Sequence, residues 1–122
     1  MSTKFGLDAV VRFAGDNASF SAGQTIFAEG TSGDVLYVVK DGEVEVRVHD
    51  RVVETVGPGG IVGEMALIDQ GPRSASAVAK TDCTLVPVNE TRFKFLVQQV
   101  PAFSLEVMRV MASRLRKMDA VV

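Results

Sequence analysis

An alternation of apolar and charged side chains over residues 43–49 restricts the fold of this chain more than any other feature. Val44, Val46 and Val48 alternate with charged residues, so the valines share one side of an extended segment. This period-2 pattern is typical of a strand with one buried face. Similar short apolar runs, separated by turns, continue through residues 18–88, and we therefore predict that this stretch is β structure.

Turn sequences divide the β region at short intervals. Asp41-Gly42 is a strong hairpin signal, because Asp-Gly tolerates the positive φ angles of turns that match the twist of the flanking strands. His49-Asp50-Arg51 indicates a second turn, and Gly57-Pro58-Gly59-Gly60 ends the strand that follows it. Many short strands followed by helices predict a β jelly roll or barrel with flanking helices.

The hydrophobic period changes to a helical one at Asn89, which is a favourable N-cap residue. We predict one helix up to Pro101 and a last helix from there to about Met118. Apolar positions cover an arc of about 200° on the last helix, about twice what one core-facing stripe needs. It should therefore contact the β body and either a ligand or another subunit, unless it is simply well buried in its own domain. Residues 5–15 predict a short N-terminal helix.

Composition limits the class of protein. The chain has 122 residues, and we expect residues 1–122 to form a single domain with the β-roll at about 18–88 and the C-terminal helices at about 90–118. Thirteen basic against fifteen acidic residues give a net charge of −2, which does not support non-specific nucleic-acid binding. Cys83 has no second cysteine to pair with, which suits a reducing compartment. Without a signal peptide or a run of about 20 apolar residues, we expect a cytoplasmic protein with no membrane partner.

Enzymatic chemistry is not expected. His49 is the single histidine, so a His-rich metal site cannot form and a Ser-His triad has little support. Neither a Gly-x-Ser-x-Gly elbow nor a Gly-x-x-x-x-Gly-Lys phosphate loop is present. We therefore predict no catalytic residue, no metal and no cofactor. His49 is interpreted as a solvated residue, and Cys83 as a small buried one.

The segment from Gly57 to Ala79 carries the most informative chemistry, since it lies between two strands and is too long for a hairpin. Its glycines and a short helical turn would present backbone N–H groups to an anion. Arg73 supplies a planar guanidinium suited to bidentate phosphate contact, and Ser74 adds a hydroxyl. Glu64 is a carboxylate beside this anion site, which suits a ligand with both a phosphate and a hydroxyl donor, such as a ribose phosphate.

Gly63-Glu64-Met65-Ala66-Leu67, followed by Pro72-Arg73-Ser74-Ala75, resembles the phosphate-binding cassette of cyclic nucleotide-binding domains. These domains occur in catabolite-activator-type regulators, in cyclic-nucleotide-dependent kinases and in cyclic-nucleotide-gated channels. The family pattern is Phe-Gly-Glu-(Leu/Met/Ile)-Ala-Leu, then Pro-Arg-(Ser/Thr/Ala)-Ala, and Gly63 to Arg73 keeps its spacing of ten residues. Val62 stands where the family has Phe. The resemblance spans roughly residues 20–115 and includes Gly23, Ile26-Phe27, Glu29-Gly30, Gly33-Asp34, Leu36-Tyr37, Gly42 and Gly59.

The resemblance implies a role for each residue of the cassette. Glu64 would accept the ribose 2′-OH, and Arg73 would pair with the cyclic phosphate. The backbone amides of Ala66 and Ser74 would complete the phosphate cradle, with Gly63 allowing close approach. The base would lie over Val62, Met65 and Val46, and the last helix would act as a lid from which Arg114 or Arg116 reaches the base. Helical periodicity taken alone instead places Arg109, Arg114, Arg116 and Lys117 on the solvated face.

The function implied is non-catalytic binding of a 3′,5′-cyclic nucleotide, with cAMP favoured over cGMP although Ser74 permits either. Binding would rearrange the C-terminal helices, which a protein effector in another chain would read, and a homodimer through the last helix is a further expectation. Because the chain stops at Val122, just after that helix, no direct contact with nucleic acid is expected. The alternative is a degenerate domain without ligand that acts as a protein–protein interaction module.

Overall fold

The computed structural model describes residues 16–121, with side chains up to Lys117, so the helix predicted at residues 5–15 lies outside the described residues. Within these residues, eight strands form two antiparallel four-stranded sheets, a short helix lies within the β region and two helices follow it, which confirms the predicted fold class. The strands are β1 (Ala18–Phe20), β2 (Thr25–Phe27), β3 (Leu36–Asp41), β4 (Val44–Val48), β5 (Arg51–Val56), β6 (Ile61–Val62), β7 (Ser76–Ala79) and β8 (Cys83–Val88). The helices are α1 (Glu64–Asp69), α2 (Glu90–Gln99) and α3 (Ala102–Val121).

Side chains from both sheets fill a common core. One sheet has the strand order β1-β8-β3-β6 and the other has β2-β7-β4-β5. The alternating valines of β4 are all buried, as their pattern predicted, and they pack in one cluster with Leu85 and Cys83 of β8. Burial of Cys83 also confirms its interpretation as a small core side chain.

A second cluster joins the helices to the β-roll. Phe103 and Val107 of α3 and Leu96 of α2 are almost completely buried against Leu36 and Ile61 of the first sheet. The opposite face of α3 remains exposed along most of its length. The wide apolar arc of this helix is thus divided between an inner face packed on the body and an outer face open to solvent. The exposed apolar side chains of α3 are Leu105, Met108 and Leu115.

The hairpin expected at Asp41-Gly42 does not form. Strands β3 and β4 lie in different sheets, so the turn carries the chain from one sheet to the other. Gly42 has φ 85°, and a Cβ there would collide with the start of β8 at Cys83. The local signal was therefore correct for the turn and wrong for the pairing, because a turn of this kind can also serve at a corner between two sheets.

The second turn does join paired strands. His49 and Asp50 have φ values of 52° and 64° and connect β4 to β5, with Val48 opposite Arg51. His49 is exposed, as predicted, and its Nε2 lies 3.5 Å from a carboxylate oxygen of Glu29. The turn predicted at His49-Asp50-Arg51 is therefore confirmed, and the strands on either side of it pair as a hairpin.

The start of α2 agrees with the sequence. The Asn89 side chain accepts a hydrogen bond from the backbone N–H of Arg92 at 2.9 Å, which confirms the predicted N-cap. Helix α2 ends at Gln99, two residues before Pro101, which has no N–H to continue the helix. Within residues 16–121, no helix combines the length and apolar character needed to cross a membrane.

Candidate functional site

A small cavity lies at the N-terminus of α1, between the two sheets and α3. Its volume of about 20 Å³ is room for roughly one water molecule. The cavity brings together all the predicted site residues except Arg116, which is exposed on α3. Its walls are formed by Phe27, Val46, Val62, Gly63, Glu64, Met65, Ala66, Arg73, Ser74, Ala75 and Arg114.

Buried charge is concentrated at this cavity. Within the described part of the chain, the buried charged side chains are Glu64, Arg73 and Arg114, with exposures of 2%, 6% and 3%. Burying an ionised group without a partner costs roughly several kcal/mol. Such groups are therefore found where hydrogen bonds or ion pairs offset that cost, or where function requires the charge. Their meeting in one small cavity marks it as the candidate site.

Arg114 closes the side of the cavity that faces α3. Its Nη1 donates to Glu64 Oε1 at 2.5 Å and its Nε donates to Glu54 Oε1 at 2.9 Å. Its Nη2 donates to the carbonyl oxygen of Ile61 at 2.6 Å, and Lys117 lies 3.6 Å from the same Glu54 oxygen. One guanidinium therefore ties α3 to β5, β6 and the first turn of α1.

The prediction that Arg114 belongs to the solvated face of the last helix is wrong. Arg109, Arg116 and Lys117 are exposed, as expected, but Arg114 is almost completely buried. Periodicity misassigned it because a charged side chain was counted as outward-facing. The carboxylates of Glu54 and Glu64, which come from other elements, make its inward position favourable.

The two carboxylates around Arg114 respond differently to their surroundings. Burial raises the pKa of Glu64 above its usual value, and the nearby Arg114 charge only partly offsets this effect. Burial also acts to raise the pKa of Glu54, but hydrogen bonds and charge from Arg114, with help from Lys117, outweigh it and lower that pKa. Glu64 is thus the carboxylate of the pair that takes up a proton first.

Arg73 also lines the cavity, and few of its donors have hydrogen-bond partners. Its Nη1 donates to the carbonyl oxygen of Gly63 at 3.2 Å, while its buried Nε has no hydrogen-bond partner. No carboxylate oxygen from residues 16–117 lies within ion-pair distance of it. Burial lowers the pKa of Arg73, and the nearby Tyr37, Asp34 and Glu64 oppose that effect. The guanidinium therefore has N–H donors that form no hydrogen bond inside the protein.

The position of Gly63 explains why glycine begins this site. It precedes α1 with φ 82°, a left-handed conformation that L side chains rarely adopt. A Cβ at this position would also press on the Arg73 guanidinium and on the ring of Phe27. The glycine therefore allows both the sharp entry into α1 and the close approach of Arg73.

The other predicted residues line the cavity without charge. Val46 and Val62 are buried in its wall, and Met65 is half-buried. Ser74 is exposed, and its hydroxyl donates to Met65 Sδ at 3.2 Å. Ala66 lies in the first turn of α1, where backbone N–H groups have no partner within the helix. Together they add both apolar side chains and polar groups to the lining of the cavity.

Sequence reasoning named neither Phe27 nor Glu54 as part of the site. Phe27 was noted only as part of a matching strand, although its ring lies against Arg73. Glu54 belongs to a strand with no recognisable motif, and its position beside Arg114 follows only from the packing of α3 on β5. Across the described residues, no group of three or more His, Cys, Asp or Glu side chains could hold a metal ion.

A family model described as the cyclic nucleotide-binding domain matches residues 17–100, which include all eight strands, α1 and α2. The chain is 36% identical over 105 residues to the cyclic AMP receptor protein of Thermus thermophilus, covering 82% of this chain and 49% of that protein. It is 43% identical over 74 residues to the cAMP-dependent protein kinase regulatory subunit of Eremothecium gossypii, covering 61% of this chain and 16% of that subunit.

A solved structure described as "A cyclic-GMP-dependent signalling pathway regulates bacterial phytopathogenesis" has the same fold. Its TM-score is 0.77 at 27% identity, and the match covers 94% of both chains. The chain spans about half the length of the first curated relative and a smaller part of the second. The family model covers more than half of the chain, and the cassette spacing from Gly63 to Arg73 lies within the matched residues. The chain therefore belongs to the cyclic nucleotide-binding domain family.

Proposed function

We propose that this protein binds a 3′,5′-cyclic nucleotide without catalysis, with cAMP favoured over cGMP. The observation that carries the proposal is the state of Arg73, whose buried guanidinium has an unpaired Nε and a single long hydrogen bond. A buried donor left without a partner costs about 1–3 kcal/mol, so a site that keeps one is suited to a ligand that supplies the acceptor. A phosphate oxygen is such an acceptor.

Glu64 narrows the class of ligand. A carboxylate in the wall of an anion site repels a simple phosphate, but it can accept a hydrogen bond from a ligand hydroxyl. Glu64 and Arg73 line the same cavity, so one molecule with a hydroxyl and a phosphate can reach both. The ribose phosphate of a cyclic nucleotide has these two groups.

The proposed preference for cAMP is supported by the names of two relatives. They are a cyclic AMP receptor protein and a cAMP-dependent kinase subunit, whereas one similar structure comes from a cyclic-GMP pathway. The hydroxyl of Ser74 can serve either ligand. Titration must therefore include both nucleotides, and we expect the tighter binding with cAMP.

Calorimetric titration tests the proposed function directly. Arg73→Ala should weaken cAMP binding by about 2–5 kcal/mol, the range for truncating one partner of a buried charge pair. Arg73→Lys should also bind weakly, because a lysine cannot make the bidentate contact. Arg109→Ala is the matched control, since it removes the same charge from an exposed position on α3. Equal cAMP affinity in the wild type and in Arg73→Ala would refute the assignment.

Ligand entry requires a movement of α3. The cavity now has room for roughly one water molecule, far less than a nucleotide needs, and Arg114 of α3 lies in its wall and holds Glu64. We propose that nucleotide binding selects an arrangement in which α2 and α3 shift and Glu64 turns to the ligand. A protein effector in another chain would then read the new helix surface.

Hydrogen–deuterium exchange with and without cAMP follows this movement. We expect altered protection in the cassette and across residues 93–118, where the two C-terminal helices lie. Exchange that changes in the cassette alone would show binding without rearrangement. Unchanged protection across 93–118 at saturating cAMP would contradict the proposed coupling.

The exposed face of α3 is proposed to form a homodimer. Leu105, Met108, Ala112 and Leu115 are all exposed and follow the 3-4-3 spacing of a coiled-coil seam. Such a stripe is self-complementary when two copies of one helix pair about a two-fold axis. Met108→Glu should give a monomer in sedimentation equilibrium if the wild type is a dimer, whereas a monomeric wild type would refute this part of the proposal.

The second candidate function is a ligand-free interaction module, and the contact between Arg114 and Glu64 favours it. Glu64 is satisfied by Arg114 without any nucleotide, as expected if the site has become purely structural. Thermal unfolding with millimolar cAMP or cGMP distinguishes the two functions, because a ligand that binds the native state must raise the melting temperature. No shift with either nucleotide would favour the module. A cytoplasmic location, expected from the unpaired Cys83, is part of either proposal.

A further inference from the structure

We infer that Phe27 is a positioning residue for Arg73, holding the guanidinium plane in the cavity before any ligand arrives; this inference rests on the proposed function. The Cζ atom of Arg73 lies 4.0 Å from the centroid of the Phe27 ring. A guanidinium over an aromatic face is attracted by the ring quadrupole, and its planar shape stacks on the ring. Phe27 lies in β2, outside the cassette, and lines the cavity with Arg73.

The Phe27 ring is itself supported from behind. It stacks on Tyr37 with ring centroids 6.3 Å apart and planes inclined by 18°. Tyr37 is fixed in the centre of the first sheet, where it pairs with Val62 and Pro87 on the two neighbouring strands. Phe20 meets Tyr37 edge to face at 6.3 Å. A row of three rings therefore ends at the guanidinium of Arg73.

The loop that follows β2 holds the rest of Arg73. The backbone N–H of Arg73 donates to the carbonyl oxygen of Thr31, and the N–H of Gly30 donates to the carbonyl oxygen of Arg73, each at 2.8 Å. Gly33 has no side chain where a Cβ would overlap the Arg73 guanidinium. Both the backbone and the side chain of Arg73 are therefore oriented by β2 and its loop.

The hydrogen-bond pattern explains why this aromatic support is needed. A buried arginine is normally held by carboxylate or carbonyl acceptors that occupy its donors. Arg73 has one long hydrogen bond and an unpaired Nε, so polar contacts alone cannot fix the direction of its plane. The ring orients the guanidinium through its face and leaves the N–H groups at its edge available for a phosphate.

The first test uses nucleotide titration of Phe27 variants. Phe27→Leu keeps an apolar side chain but removes the ring face, and we expect cAMP to bind about five- to thirty-fold more weakly. Phe27→Tyr restores the ring and should bind within about two-fold of the wild type. Phe20→Leu is the matched control, since it removes a ring from the same row without touching Arg73. Wild-type affinity in Phe27→Leu would overturn the inference.

The mechanism through Arg73 has its own readouts. In an Arg73→Ala background, Phe27→Leu should cause no further loss of cAMP affinity, because the residue it positions is absent. Adenosine, which has no phosphate, should bind the wild type and Phe27→Leu equally. A loss of adenosine binding, or a further loss in the double variant, would show that Phe27 acts as a packing residue and contradict the inference.

A measurement without ligand separates this inference from the proposed function. An aromatic ring shields nuclei above its face, so the Arg73 Hε resonance should lie upfield in the wild type and return towards the usual arginine position in Phe27→Leu. If wild-type protein binds neither cAMP nor cGMP, the proposed function fails, while an upfield Hε still supports the positioning role. An unshifted Hε in the wild type overturns it. If Phe27→Leu does not fold, Phe27→Met, which is unbranched and adaptable, takes its place.

Discussion

The ion-pair network around Arg114 allows a sharp test of how α3 is attached to the β-roll. In Arg114→Met, the side chain keeps much of its length but loses the charge that faces Glu54 and Glu64. Removing one partner of a buried ion pair costs about 3–5 kcal/mol, because it leaves an uncompensated buried charge. The carbonyl oxygen of Ile61 also loses its donor. Arg114→Met should therefore be among the most destabilising single changes in α3.

The expected shift follows from the length of the chain. For a domain of this size, 3–5 kcal/mol corresponds to a fall in melting temperature of about 12–20 °C. Thermal unfolding followed by circular dichroism measures it. Arg109→Met is the matched control on the same helix, since its side chain is 66% exposed and its ion pair with Glu106 spans 3.6 Å. The control should change stability by about 0.5 kcal/mol or less.

A double variant isolates the cause. Adding Glu64→Gln to Arg114→Met removes the buried charge that the single variant leaves unpaired, so part of the lost stability should return. The cycle of wild type, two single variants and the double variant gives the coupling between the two side chains. If Arg114→Met has the same melting temperature as Arg109→Met, the buried ion pair does not anchor α3. The same conclusion follows if adding Glu64→Gln recovers none of the stability lost in Arg114→Met.

Three further substitutions test other parts of the structure. Gly63→Ala should lower the melting temperature by about 4–8 °C, because an L side chain in a left-handed conformation costs about 1–2 kcal/mol. Gly57→Ala is the control and should leave the melting temperature unchanged, because a Cβ at Gly57 would meet open space. Asn89→Ala should cost about 1 kcal/mol, or about 4 °C, by removing the N-cap of α2, and an unchanged melting temperature would contradict that role. The pKa of Glu54 is lowered from its ordinary value, so its contribution to stability is present above that ordinary value and is lost as the pH falls through the lowered pKa. The stability difference between the wild type and Glu54→Gln should therefore shrink in acid, and a constant difference would refute the ion pair.

Much of the fold could be predicted because local patterns match local structure. The alternating valines of β4 predicted a strand with one buried face, and the structure buries that face. The change of period at Asn89 predicted the helices, and the N-cap lies at that residue. These signals depend on residues close together in the chain, where backbone geometry sets the side-chain period.

Strand pairing was less accessible to sequence reasoning. Asp41-Gly42 has the composition of a hairpin turn, but β3 pairs with β6 and β8, and β4 pairs with β5 and β7. A turn sequence reports the local φ angles and not which partner the next strand will find. The partner depends on which arrangement of two sheets buries the most apolar surface.

The residues of the candidate site also divide into those that the sequence could identify and those that depend on tertiary packing. The cassette spacing predicted the residues that line one cavity, among them Glu64 and Arg73, because they lie in one segment. Helical periodicity assigned Arg114 to the solvated face, although the resemblance included it among the lid residues, and Glu54 and Phe27 were not assigned to the site. Arg114 and Phe27 contact cassette residues from separate elements, and Glu54 contacts Arg114, so all three positions follow from long-range packing.

The sequence by itself determined the class of fold, the family resemblance and the cassette, because period, turn composition and motif spacing are local properties. Only the tertiary structure showed that Arg114 holds Glu64 and that the ring of Phe27 lies against Arg73. Each of these contacts joins residues at least 46 positions apart, at positions 114 and 64 and at positions 73 and 27. Such contacts exist only after the sheets and helices have packed, and in this protein they determine the surroundings of Glu64 and Arg73 at the candidate site.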